Sequence, residues 1–143
     1  METPLVYTYT HRVRYRECDP MGVVYHTHYL DHFEAARTEA LRDAGLAYKS
    51  LEAAGILMMV TEATLRYHRA AHYDDVLEIE ATFTETAGPR LPIDYAVRRE
   101  GHDRVLVSGR VVLTCVDRAT MRPIPTPPAV REAFETWGAR EGV

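Results

Sequence analysis

The sequence predicts an α+β fold in which an antiparallel sheet packs on a single buried helix. Three observations carry that expectation. One run, from about His28 to Ala44, has helical periodicity; the segments around it alternate with a period of two; and short turns, not helices, join the later segments. One helix cannot cover both faces of such a sheet, so the second face is left to solvent or to a partner.

The elements follow in chain order. In "VYTYTHRVRY", Tyr7, Tyr9, His11, Val13 and Tyr15 share one parity against Thr8, Thr10, Arg12 and Arg14, the pattern of a half-buried strand. From His28 to Ala44 an apolar stripe recurs at three- and four-residue steps through Leu30, Phe33, Ala36, Arg37, Ala40 and Leu41. Gly45 supplies a left-handed stop just beyond it. The alanine-rich stripe lets a sheet approach the helix backbone closely, and a shorter helix is expected at 50–54. Met59, Thr61, Ala63, Leu65 and Tyr67 are expected on one face of the next strand, then Leu77, Ile79, Ala81 and Phe83, then Leu91, Ile93, Tyr95 and Val97. Turns are predicted at Tyr73–Asp75, at "GPR" (88–90) and at "EGHD" (100–103). "RVLVSGRVVLTCVD" is apolar on both parities, as in a strand covered on both faces, and Gly109 within it marks a bulge or a close backbone approach. "RPIPTPP" ends the sheet, and residues 129–138 are expected to form a terminal helix.

Length and composition restrict the function classes. The 143 residues suit one domain spanning 1–143, and 46% hydrophobic with 27% charged residues is an ordinary globular balance. A formal net charge of −4 argues against a general nucleic-acid binder. The start of the chain lacks a signal-peptide pattern, and no apolar run approaches the roughly 18 residues of a membrane span. Cys18 and Cys115 lie outside any CxxC spacing, which reads as free thiols in a reducing, cytoplasmic setting.

The chemistry concentrates in "RECDPMGVVYHTHYLDHFEAARTE", residues 16–39. Three readings compete there. His28 and His32, at i and i+4, could face one metal ion with His26 or Asp31, although the flanking glutamate of a zinc hydrolase is missing. Alternatively Asp19-Pro20 starts a turn, Gly22 takes a positive φ and Thr27 caps the helix, with no chemistry at all. In the third reading the helix N-terminus polarises a carbonyl while Asp19 attacks that carbonyl or activates water, and Gly22 leaves room for the substrate.

"YRECDPMGVVYHTHYLDHFEAARTEAL" resembles the signature of hotdog-fold acyl-CoA thioesterases of the 4-hydroxybenzoyl-CoA thioesterase family, and within it the Tol-Pal-associated subgroup. Tyr15, Asp19, Gly22, Val23, Val24, Tyr25, His26, Tyr29, Phe33, Ala36 and Arg37 carry the match. "RYHRAAHYDDVLEI" and "TCVDRATMRPIPTP" extend it over nearly the whole chain, with Ala70 standing about where the family usually has proline.

The resemblance implies a five-stranded antiparallel sheet wrapped around the long helix, and homodimers, often tetramers, with active sites between subunits. It implies an acyl-CoA substrate and no cofactor. Asp19 matches the catalytic carboxylate, as nucleophile or general base. His26 matches the position whose backbone N–H polarises the thioester carbonyl, with a contribution from its side chain. Gly22, Tyr25, Tyr29, Met59 and Arg66 are the expected substrate-binding residues. Tyr15 is expected to shape the pocket, alongside Phe33, Met58 and Val60, for which core packing is the alternative. Arg66, His68, Arg69 and Arg90 are candidate partners for the CoA phosphates. The rival readings are a non-catalytic acyl-CoA-binding protein of this fold and a metalloprotein built on His26, His28 and His32. Hydratase chemistry on the same fold relies on a different His/Asp arrangement.

Overall fold

The computed structural model describes residues 5–84 and 88–133. In chain order these form β1 (Leu5–Arg12), a 3-10 turn (Tyr15–Glu17), α1 (His28–Asp43), α2 (Tyr48–Ala53), β2 (Ile56–Tyr67), β3 (Val76–Phe83), β4 (Arg90–Arg99) and β5 (Val105–Asp117). The strands make one antiparallel sheet in the order β1-β3-β4-β5-β2. The expected α+β architecture is present, with α1 as its long helix.

Alternation sets which face is buried. Leu77, Ile79, Ala81 and Phe83 of β3, and Leu91, Ile93, Tyr95 and Val97 of β4, form the core face. β1 alternates through half-buried Leu5, Tyr7, Tyr9 and His11. Tyr15 departs from that strand: the chain turns at 15–17 and leaves its side chain 81% exposed, edge-on to the Tyr73 ring. β5, between β4 and β2, buries residues of both parities as its sequence predicts. The 122–128 segment runs beside the end of β5, with a bridge from Val116 to Pro123 and the Ile124 amide donating to the Cys115 carbonyl at 2.9 Å; residues 128–133 are helical, and 134–138 lie outside the described residues. Cys18 and Cys115 are both free thiols.

Two side-chain assignments change. The buried stripe of α1 runs through Tyr29, His32, Phe33, Ala36, Arg37, Ala40 and Leu41, while Leu30 is 40% exposed. Tyr29 is one residue, about 100° of helix, away from Leu30, so the stripe is rotated toward the polar residues of the first turn. In β2 the register against β5 shifts between Val60 and Glu62. Met59 therefore opposes Thr114 on the face away from α1, whereas Ala63, Leu65 and Tyr67 oppose Val111, Gly109 and Val107 on the helix face. The bulge splits the single parity that the sequence suggests.

Gly109 is the close approach. A Cβ there would lie 2.8 Å from Phe33 Cε2 and 2.8 Å from the Thr64 carbonyl oxygen. Phe33 lies over this bare backbone and stacks on Tyr95, with centroids 4.2 Å apart and planes 6° from parallel. Burying such a ring contributes about 2–3 kcal/mol. At its other end α1 stops at Gly45, with φ +87°, whose amide donates to the Arg42 carbonyl at 3.0 Å, while the Leu46 amide donates to that of Leu41 at 2.7 Å.

Gly109→Ala forces the ring off the strand or the strands apart, so it should lower unfolding stability by about 1–3 kcal/mol. Urea denaturation measures this, and an unchanged midpoint would contradict the seat assigned to Phe33.

Candidate active site

The polar segment forms a closed loop in front of α1. Asp19 donates its amide to the Val23 carbonyl at 2.9 Å, Gly22 donates back to the Asp19 carbonyl at 2.9 Å, and Cys18 bridges Val24. The far side of the loop is held by Val24 donating to the Ala71 carbonyl at 2.9 Å and by a bridge between Val23 and His72. Gly22 has φ +80°, and a Cβ there would meet nothing within 4 Å among the described residues, so among them the backbone conformation, not clearance, requires glycine. Asp19 is half-buried; its Oδ1 accepts from the Met21 amide at 2.9 Å, and its other oxygen has no hydrogen-bond partner among the described residues.

The tip of α1 is left open. Thr27 occupies the N-cap position in a helical conformation, and its side chain caps nothing, contrary to the expectation of a capped helix. His28 donates to the Tyr25 carbonyl at 3.0 Å and Leu30 to that of Thr27 at 3.1 Å, while the amides of His26 and Thr27 find no acceptor among the described residues. Such donors carry the positive end of the helix dipole.

Aromatic rings surround that tip. Tyr25 and His26 have centroids 4.4 Å apart, and Tyr67 meets the His26 ring edge-on at 6.2 Å. The Tyr67 hydroxyl donates to the His26 carbonyl at 3.2 Å, tying the end of β2 to the approach of α1. Tyr25 is 44% exposed, whereas Tyr29 is buried against Tyr67 and burial pushes its phenol above the ordinary value. The sequence marks Tyr67 only as part of a strand face, and nothing local signals its contacts with His26 and Tyr29.

The remaining expected residues lie elsewhere. Met59 and Arg66 sit on the sheet face turned away from α1, opposite Thr114 and Ser108. Arg90 pairs with Glu62 at 3.1 Å, and His68 Nε2 meets the Ser108 hydroxyl at 2.9 Å. Arg69 lines a cleft of about 420 Å³ with Arg99, His102 and Arg104. The histidines also separate: His28 pairs with Asp31 at 3.3 Å, and His26 turns to Tyr25 and Tyr67. The set His26, His28 and His32 is therefore not gathered around one point.

His32 has a different partner, and the sequence did not single it out. Glu17, 6% exposed, accepts from His32 Nε2 at 2.6 Å, from His11 Nε2 at 2.9 Å and from the Arg14 amide at 2.7 Å. Burial alone would push the Glu17 carboxyl up, but the bonds from Arg14, His32 and His11 outweigh it and hold the carboxyl below its ordinary value. Burial pushes the His32 imidazole down, against the opposing pull of Glu17, so it is neutral near pH 7.

Both shifts act on stability in the same direction. With His32 below its ordinary 6.5, the unfolded chain binds a proton that the folded chain refuses as pH falls past that value. With Glu17 below its ordinary 4.5, the stability lent by the ionised carboxylate is present above that value and lost as pH falls through the folded one. The melting temperature should be level from about pH 7 to about pH 8 and fall below about pH 6.5, less steeply in His32→Gln. A wild-type melting temperature unchanged down to about pH 5 would contradict this.

Comparison with known proteins places this geometry in a family. Residues 13–134 match the thioesterase-like superfamily model. The chain is 35% identical to an acyl-CoA thioesterase of Haemophilus influenzae, over 86% of this chain and 90% of that protein. It is 32% identical to an acyl-CoA thioester hydrolase of Escherichia coli, over 87% and 92%. Among solved structures, the DHNA-CoA thioesterase of Staphylococcus aureus superposes with a TM-score of 0.84 at 26% identity, covering 96% of this chain and 95% of that one. The chain belongs to the thioesterase-like superfamily, with the hotdog fold of its structural neighbours.

Proposed function

We propose that this acyl-CoA thioester hydrolase uses Asp19 as its reacting carboxylate and the open tip of α1, at the His26 amide, as its oxyanion site. The observation that carries the reading is an uncapped helix start beside a loop presenting a carboxylate with one oxygen unengaged. A thioester carbonyl seated on the tip accepts from the His26 amide, which stabilises the charge that develops on its oxygen. Asp19 then reacts in one of two ways. As nucleophile it forms a mixed anhydride, expelling CoA thiolate, and water cleaves the anhydride to the acid. As general base it takes a proton from the water that attacks directly. Thiolate is a good leaving group, so neither route needs a strong acid. Tyr25, His26 and Tyr67 form the aromatic rim of the acyl entrance, with Tyr29 behind them.

A homodimer completes the site in this reading. β2 is a 12-residue edge strand with Met59 42%, Val60 50% and Tyr67 51% exposed, and it ends beside His26. Long apolar edges are normally covered. A second copy placed along β2 covers these side chains and gives Met59 and Arg66 a place at the interface. The proposed setting is the cytoplasm, where CoA thioesters are made; among the described residues no helix is long and apolar enough to cross a membrane.

Thiol release across a panel of short, long and aromatic acyl-CoAs tests the assignment. The wild type should release CoA from at least one class, and Asp19→Asn should lose about 10²-fold or more of kcat. Binding without release by the wild type would favour a carrier over an enzyme, and equal rates for both proteins would remove Asp19 from the chemistry. Sedimentation should give a dimer or tetramer, and Val60→Asp should shift it toward monomer; a wild-type monomer would sink the shared site.

A further inference from the structure

We infer that Glu17 is the positioning residue of this site, locking the Asp19 loop and the His26 amide to α1 through its bonds to His11 and His32. The inference rests on the proposed roles of Asp19 and His26. Glu17 joins three elements by its side chain: His11 is on β1, Arg14 opens the 3-10 turn and His32 lies in the second turn of α1. Its backbone carbonyl adds a fourth link by accepting from the Tyr25 amide at 2.9 Å. That bond orients the peptide chain immediately before His26. Two residues after Glu17 comes Asp19, whose loop is closed by the Cys18–Val24 bridge. One buried carboxylate thus governs both arms of the site, the loop that offers the acid and the segment that offers the amide.

The proton arrangement follows from one orphaned atom. His32 Nδ1 is buried and has no partner among the described residues, so a proton there would find no acceptor among them. The proton therefore sits on Nε2 and is donated to Glu17. A cation held by the same three side chains, whose ligating atoms lie within 4.8 Å of one another, would need His32 Nε2 bare and the proton on Nδ1. The bonding thus favours a hydrogen-bonded clamp over a metal. The same constraint makes Glu17→Gln informative. The Arg14 amide can only donate, so the glutamine oxygen must face it. The new NH₂ then faces the histidines, and His32 can accept from it only by moving its proton to Nδ1.

The expected result is a kcat effect. Glu17→Gln and His32→Leu should each lower kcat about 10- to 100-fold with KM within about threefold, because ångström-scale misplacement of reacting groups costs about that much. His32→Gln, whose amide nitrogen can replace Nε2 as donor, should retain kcat within about threefold. Ile79→Val, a core change on β3, is the matched destabilised control and should retain kcat. Full kcat in Glu17→Gln would overturn the inference, as would a His32→Gln loss equal to that of His32→Leu or a kcat loss in Ile79→Val as large as in Glu17→Gln. Should Glu17→Gln fail to fold, the His32→Gln and His32→Leu pair decides alone. Asp19→Asn runs alongside: its full activity would overturn both the Asp19 reading and this inference, whereas its inactivity beside a fully active Glu17→Gln would overturn this inference only.

Discussion

Phe33 can approach β5 this closely only because residue 109 has no Cβ, and the depth at which α1 rests on the sheet follows from that contact. Tyr95 stacks on the same ring, so the helix is held between the backbone of one strand and an aromatic side chain of its neighbour. A helix carrying Ala36 and Ala40 on its buried stripe has little side-chain bulk to compensate for a change in that spacing. Phe33 is also next to His32 in sequence and one helical turn beyond Tyr29. The residue that seats the helix in the core thus directly adjoins those that order its N-terminal end. Packing in the middle of the molecule sets where the amide-bearing tip emerges.

At that tip the electrostatics are divided between two carboxylates in unlike surroundings. Glu17 is buried and accepts from three donors, which offsets the penalty of burial. Asp19 is half-buried, with one oxygen engaged by its own turn and the other open. A carboxylate held by three donors is less free to attack or to accept a proton than one with an open oxygen. The two acids lie two residues apart in unlike environments, and that difference is what supports the separate roles proposed for them.

The helix limits, the core faces of β3 and β4, the Gly45 stop and the loop-plus-helix arrangement around Asp19 and His26 were legible because each depends on local periodicity or on a short motif. What stayed hidden needed contacts across the chain. Glu17 reads as one more charge in "YRE", since its partners arrive from six residues earlier and fifteen later, on different elements. His32 looks like a metal candidate while only its helical spacing from His28 is known; rotation of the buried stripe toward Tyr29 sends it inward to Glu17 instead. Met59 was misplaced by one extra residue in β2. Nothing in "MVTE" marks that bulge, yet it reverses the parity of every residue before it relative to those after.

The placement of Met59 and Arg66 also bears on how the site is completed. Within one chain these residues face away from α1, while Tyr67, past the bulge, faces toward it and bonds to His26. Without the bulge, the two ends of β2 would present the same parity to the helix. With it, the strand offers an aromatic residue to its own site at one end and an apolar side chain to the opposite sheet face at the other. A strand that lies at the sheet edge, carries exposed apolar groups on both faces and ends beside His26 is poorly suited to solvent. In the proposed homodimer, an antiparallel pairing about a twofold axis would bring each β2 toward the other's open edge. In that arrangement the bulge would let one strand serve both sheet faces.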